Sequence, residues 1–308
     1  MRVLVTGCAG FIGSNLCRML LDEGHQVVGV DNLSAGTLEN IPNGVEFHER
    51  DIRDPALADV FRGAQTVFHL AAKNCLPDCM AHPLETADIN VRGTVQVLEA
   101  ARAAQVPKLV YADTSAEYEG VTEFPSRVDR VHPIGTYAVS KRAAWHFCDS
   151  YSRLYGLRLT TLRYFNVYGP AQDFRRIVPP VMSAFIMKML AGVRPTIYGT
   201  GGKRRDFVYV DDVNRFHLLC LQDPRTDGGV FNVGSGVNHS IREIFDAIEA
   251  QLRTGLTPQN ADELPGEAEI TLADVSDGRR LGWRPEIDLT EGLRRSIEDI
   301  RTRVLAPR

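Results

Sequence analysis

The chain has 308 residues, enough to bury a large core and to form two lobes. Hydrophobic residues make up 44%, charged residues 24% and the formal net charge is −4, so the composition is globular and gives no basic footprint for nucleic acid. No apolar run reaches the roughly 18–20 residues of a membrane span, no signal peptide is expected, and six cysteines fit a reduced, cytoplasmic setting better than a disulfide framework.

An apolar run at 3–5 enters Gly7-Cys8-Ala9-Gly10-Phe11-Ile12-Gly13 and then a helical stretch over 14–22, with Gly24 as its stop. Strand, glycine turn and helix form a cradle for a dinucleotide pyrophosphate, because glycine lets the backbone approach and the helix N-terminus offers free N–H groups. The spacing is GxxGxxG rather than GxGxxG. A second run, 27–30, ends in Asp31, where an acid takes both ribose hydroxyls of NAD and repels the phosphate of NADP. Asn32 and no arginine follows it, so NAD is the expected cofactor.

Further strand-like runs lie at 45–47, 67–70, 109–112 and 159–163, with helical stretches over 86–104, stopped by Pro107, and over 137–155. Alternation of this kind predicts an α/β fold with a parallel sheet covered on both faces. Cys75, Cys79 and His82 lack the second ligand pair of a zinc site, and no metal is expected. Past Gly169-Pro170 the texture changes to a helix over 181–190, a strand over 206–210 and helices over 241–253 and 289–303. The expected division is 1–170 for the dinucleotide and 171–308 for the substrate, with a soft boundary and interleaved segments.

Tyr137 and Lys141 are four apart at the start of a helix and share a face. An ammonium there should draw the phenol's pKa down toward working pH and make it a general base. The strand at 109–112 ends in Asp113-Thr114-Ser115-Ala116, and Thr114 or Ser115 suits a hydrogen bond to the reacting oxygen.

Together with His69-Leu70-Ala71-Ala72, Asn90-Val91-Arg92-Gly93-Thr94, Arg163 to Pro170, Arg205 to Asp212, Phe231-Asn232-Val233-Gly234 and Leu281-Gly282-Trp283, these segments resemble the extended short-chain dehydrogenase/reductases of the NAD-dependent epimerase/dehydratase family, most of all UDP-sugar 4-epimerases. The resemblance implies a Rossmann-type doubly wound parallel sheet with a smaller α/β substrate lobe. It places Gly7, Gly10, Phe11, Ile12, Gly13, Asp31 and Asn32 at the cofactor, Asp51 and Ile52 by the adenine, and Leu70, Ala71, Ala72 and Lys73 by the pyrophosphate and nicotinamide. Counting back four from Tyr118 makes Thr114 the catalytic hydroxyl beside Tyr137 and Lys141. Thr114, Ser115, Asn166, Tyr198, Arg205 and Thr271 would hold a nucleotide-diphosphate sugar, UDP above others.

Family dehydratases and decarboxylases need acids after the catalytic threonine, and here Ser115 and Ala116 stand there. That favours 4-epimerisation through a transient 4-ketone, of a UDP-hexose, a UDP-N-acetylhexosamine or a UDP-uronate; the alternative is a dehydratase or reductase of the same family. Thr271 leaves room beside the C2 substituent. Leu264 replaces an arginine that grips the diphosphate in many relatives, so Lys203, Arg204, Arg175 or Arg176 would have to compensate. A homodimer is expected, built on helices 86–104 and 137–155.

Overall fold

A computed structural model describes residues 1–172, 179–263 and 268–305. In chain order β1 (Arg2–Thr6), α1 (Phe11–Asp22), β2 (Gln26–Asp31), β3 (Glu46–Glu49), α2 (Ala58–Phe61) and β4 (Thr66–His69) come first. Short helices α3 (Leu76–Ala81) and α4 (Pro83–Ala87) lead to α5 (Gly93–Ala103), β5 (Lys108–Thr114), α6 (Thr136–Tyr155) and β6 (Arg158–Tyr164). The rest comprises β7 (Asn166–Tyr168), α7 (Val181–Leu190), β8 (Thr196–Tyr198), β9 (Arg204–Tyr209), α8 (Val210–Gln222), β10 (Val230–Val233), β11 (Asn238–Ser240), α9 (Ile241–Leu252), β12 (Gln259–Ala261), α10 (Ser276–Arg280) and α11 (Leu289–Leu305).

The large sheet runs β10-β6-β5-β4-β1-β2-β3, and every neighbouring pair is parallel. Its central strands are apolar on both faces because helices cover both; Val3, Leu4 and Val5 are wholly buried. One face packs on α1 and α8, the other on α5 and α6. The strand order reverses between β1 and β4, which opens a crevice above their C-terminal ends, the place where this architecture takes its ligands.

The expected division at residue 170 is crossed in both directions. β10 completes the large sheet from the later part of the chain, while β7, before the division, pairs with β9 in a second sheet of order β11-β9-β7. That sheet, the β8–β12 pair and helices α7, α9 and α11 enclose a separate core around Phe185, Phe207, Ile244 and Leu293. The helix expected over 86–104 is present, with a π turn inside it: α4 passes at Asp88–Arg92 into a π turn and on into α5 at Gly93 without leaving helical backbone angles. Gly93 lies against Ile52, where a Cβ would stand 2.6 Å from Cδ1, and Asn90 turns its amide back onto the backbone of Lys73. π turns of this kind recur at functional sites.

Candidate active site

The glycine turn closes on itself and on β4. Gly7 has φ +76°, and a Cβ there would lie 2.8 Å from the nitrogen of Ala71. A Cβ on Gly13 would lie 2.1 Å from the carbonyl oxygen of Gly7. Phe11 and Ile12 open α1, and the Gly10 cap has no side chain to satisfy the first-turn N–H groups, which leaves them to an anion. Asp31 ends β2 with one carboxylate oxygen accepting from Ala9 N at 3.0 Å and the other from Leu33 N at 2.8 Å. Burial raises its pKa while those N–H groups pull it back. Each oxygen keeps a further acceptor position, so a ribose diol fits beside it.

Asn32 donates to Asp51 at 2.8 Å, and Arg53 clamps Asp51 through two bonds of 2.7 Å, which holds that carboxyl well below its usual range. Ile52 is buried under the same corner, so these residues come together at the rim beyond Asp31. Leu70, Ala71 and Ala72 follow the glycine turn's neighbour β4, half-buried, with Ala71 N against Gly7. Lys73 comes next, its backbone bonded to Asn90 and its ammonium drawn into ion pairs with Asp78 at 2.7 Å and with Glu85.

Thr114 ends β5 and faces Tyr137 at the start of α6. The neighbouring Thr114 hydroxyl favours the ionised phenol, but burial outweighs it and raises the phenol's pKa. The sequence suggested the opposite direction, on account of Lys141. Lys141 is itself buried, with its own pKa pushed down to about 8, and its Nζ stands 4.1 Å from the centre of the Tyr111 ring. Desolvation therefore dominates both groups, and a hidden ammonium is weakly held in its charged form. Ser115 lies beside Thr114, half-buried, at the head of a short turn, Ser115–Tyr118.

A buried polar chain ties the glycine turn to the base. Thr6 bonds His69 at 2.8 Å, and His69 reaches Thr94 at 3.0 Å. Thr94 donates to the carbonyl of Asn90 at 2.6 Å, Asn90 donates to Ser140 at 2.9 Å, and Ser140 donates to the carbonyl of Tyr137 at 2.7 Å. The sequence reading passed over Asn90 as a positioning group; its signal was its place in the Asn90-Val91-Arg92-Gly93-Thr94 segment.

In the second lobe Asn166 donates to Thr271 Oγ1 at 3.2 Å and to the carbonyl of Asp206 at 3.0 Å, and Thr271 also accepts from Asp206 N at 3.0 Å. Arg205 follows on β9, bonding the carbonyls of Arg204 at 3.1 Å and Glu269 at 3.4 Å. These three residues form one group. Tyr198 sits apart at the end of β8, 47% exposed. Of the cations expected to compensate for Leu264, Lys203 pairs with Glu263 at 2.9 Å, and Arg204 is drawn to Asn238 and Glu243. Arg175, Arg176, Leu264 and the neighbouring Pro265, Gly266 and Glu267 lie outside the described residues.

A charged cluster behind Thr114 was not foreseen. Arg163 on β6 bonds Asp113 at 2.9 Å and pairs with Glu117 at 2.9 Å; the carboxylates are wholly buried and the guanidinium is 1% exposed. Both acids flank Thr114 in the sequence, which was the available clue.

The sequence pattern described as the NAD dependent epimerase/dehydratase family matches residues 3–234. A UDP-glucose 4-epimerase of Mycolicibacterium smegmatis is 36% identical, over 98% of this chain and 99% of its own length. Among solved structures, UDP-glucose 4-epimerase of Thermotoga maritima with UDP-glucose superposes with a TM-score of 0.95 at 34% identity, covering 99% of this chain and 100% of that one. A UDP-N-acetylglucosamine 4-epimerase of Methanobrevibacter ruminantium, in complex with UDP-N-acetylmuramic acid, gives 0.94 at 31% identity, covering 98% and 99%.

Proposed function

The chain belongs to the NAD-dependent epimerase/dehydratase family, and on that premise we infer that it is an NAD-dependent nucleotide-sugar 4-epimerase. The observation that carries this reading is the placement of Thr114 at the C-terminal end of β5 and Tyr137 at the start of α6, tied back to the β1 turn by the Thr6–His69–Thr94–Asn90–Ser140 chain. NAD fits the residues present: glycines whose added Cβ would strike backbone, an uncapped helix start, and Asp31 with no arginine after it. Bound NAD would supply the hydride acceptor.

The chain's own part is proton handling and grip. Tyr137 takes the proton of the sugar 4-hydroxyl and returns it to the same oxygen once the ketone has turned over. Thr114 holds that oxygen by a hydrogen bond, and Lys141 supplies positive charge on the same helix face. Gly7, Gly10, Phe11, Ile12 and Gly13 receive the pyrophosphate, Asp31 and Asn32 the ribose, and Asp51 and Ile52 the adenine edge. Leu70, Ala71, Ala72 and the backbone of Lys73 wall the nicotinamide side. Asn166, Arg205 and Thr271, with Ser115, hold the diphosphate sugar, and Tyr198 borders the nucleotide base. On this reading the large sheet serves the cofactor and the second lobe the sugar nucleotide.

Glu117 does not restore the dehydratase route. It lies next to the position that would need an acid, but it is buried on Arg163. For the sugar, we propose a UDP-hexose, with Thr271 small enough to admit an N-acetyl group. We further propose a homodimer through α5 and α6; Phe147 and Leu154 on α6 are 43% and 70% exposed, whereas Trp145 and Tyr151 pack inward. Light scattering checks this, and a monomer mass refutes it. A cytoplasmic setting agrees with six unpaired cysteines, and no described helix is long and apolar enough to cross a membrane.

The decisive experiment incubates the protein with UDP-, CDP-, GDP- and dTDP-sugars and reads products by NMR while following absorbance at 340 nm. A 4-epimer without net NADH supports the reading. Net NADH, or loss of water from the sugar, overturns it.

A further inference from the structure

The acids behind Thr114 have an electrostatic problem. Asp113 precedes Thr114 at the end of β5, Glu117 follows in the next turn, and both side chains are wholly buried. The Arg163 guanidinium meets both, and also donates to the hydroxyl of Tyr118 at 3.0 Å and the carbonyl of Val128 at 2.8 Å. The half-buried Arg142 on α6 stands 3.5 Å from Glu117. Even so, Asp113 Oδ1 and both oxygens of Glu117 are buried without a well-aligned hydrogen bond, the Arg163 contact to Glu117 being an ion pair only. Two buried carboxylates whose charges share one guanidinium and whose oxygens lack aligned donors are costly. A carboxyl–carboxyl hydrogen bond removes the difficulty, because one group then becomes the donor, and the two buried acids converge on the same Arg163 guanidinium.

We propose that Asp113 and Glu117 share one proton and act as a positioning pair for Thr114 and Tyr137, keeping one buried negative charge behind the reacting hydroxyls instead of two. The groups facing Glu117 are Asp113 and Tyr111 on β5, Arg163 on β6, Arg142 and Lys141 on α6, and Tyr118 in its own turn. Burial and the neighbouring Asp113 carboxylate push the Glu117 carboxyl up to about 8, against the pull of Arg163 and Arg142. Negative charge on Asp113 disfavours the Tyr137 phenolate, and on either acid it favours the Lys141 ammonium. When the shared proton leaves to solvent at alkaline pH, a second negative charge appears in this cluster, the phenolate becomes harder to form, and turnover declines.

The proposal rests on Tyr137 and Thr114 as reacting groups, but its first test needs no substrate. Infrared difference spectra of the full chain, titrated from about pH 6 to pH 10, should show a protonated carboxylic acid band at neutral pH that bleaches with a midpoint of about 8. The band should be missing from Glu117→Gln and from Asp113→Asn, each of which leaves a single acid facing Arg163; if one variant does not fold, the other decides. No neutral-pH band in the wild type, or a band kept in a folded variant, overturns the proposal. In kinetics, the fall in kcat from pH 7 to pH 9 should be about threefold or more steeper in wild type than in E117Q. Parallel pH profiles, as from a merely structural role, overturn it too. Absence of any turnover in wild type sinks the epimerase reading alone, and the infrared result still decides the pair.

Discussion

Two alanine substitutions in the glycine turn should separate folding from cofactor binding. A methyl at Gly13 would stand 2.1 Å from Gly7 O, 2.8 Å from Gly7 C and 3.1 Å from Cys8 Cα, all backbone. Ordinary contact needs a shift of about 1.2 Å or more, which the packed turn resists. Overpacking of this kind costs about 1–3 kcal/mol, or about 2–10 °C in melting temperature for a chain of this size. A methyl at Gly10 would meet only Gly7 O, at 3.3 Å, and Gly10 has φ −79°, open to alanine. Its stability should change by less than about 0.5 kcal/mol. The same methyl stands where a phosphate must approach the first turn of α1, so a charge-assisted hydrogen bond worth about 1.5–3 kcal/mol is lost and the Kd for NAD rises about 10- to 150-fold. Melting curves without added cofactor and NAD titration calorimetry read the two effects separately. Gly10→Ala binding NAD as wild type does, or Gly13→Ala melting unchanged, would refute the reasoning.

Three more outcomes are expected. Tyr137→Phe should lower kcat by about 10²–10⁴-fold while NAD still binds, read by product NMR and calorimetry. Arg205→Leu should raise KM for the sugar nucleotide by about 10- to 150-fold and leave NAD affinity unchanged, because a charged hydrogen bond to phosphate is lost. Burial lowers the pKa of both His69 and His217 to about 3, so each stays neutral in the fold. Below pH ~6.5 the unfolded chain takes up protons that the fold refuses, so each histidine removes stability as pH falls, by about 1.4 kcal/mol per pH unit down to its folded value. His217→Gln, which keeps a partner for the Tyr164 hydroxyl, should flatten the acid limb of a pH-dependent denaturant titration by that amount; an unchanged slope contradicts the assignment.

What the sequence disclosed was local. The β1 turn into α1 and the acid ending β2 could be read because glycine spacing and strand length fix their geometry within a few residues. The Tyr137–Lys141 spacing was equally plain, but its electrostatics were not: the direction of the phenol's shift depends on burial, which a helix face does not report. β10 escaped assignment to the large sheet because four residues carry no periodicity, and only the exposed edge of β6 gives them a place. The π turn at Asp88–Arg92 was hidden for a related reason: an amphipathic pattern continues through a π turn, and the return of Asn90 to Lys73 is a tertiary event. Lys73 shows the limit of transferring roles by motif, since Asp78 and Glu85 claim its ammonium from the neighbouring helices.

The passage of the backbone between the two sheets has a mechanical corollary. It goes over at 164–166, again near 209–210, and again at 233–238. A molecule stitched at several points has no single hinge, so wide opening of the lobes would have to bend all of these connections together. The ketone would therefore swivel inside a nearly rigid vestibule, and shortening the chain at Pro170 would strip β6 of its neighbour rather than release a self-sufficient half.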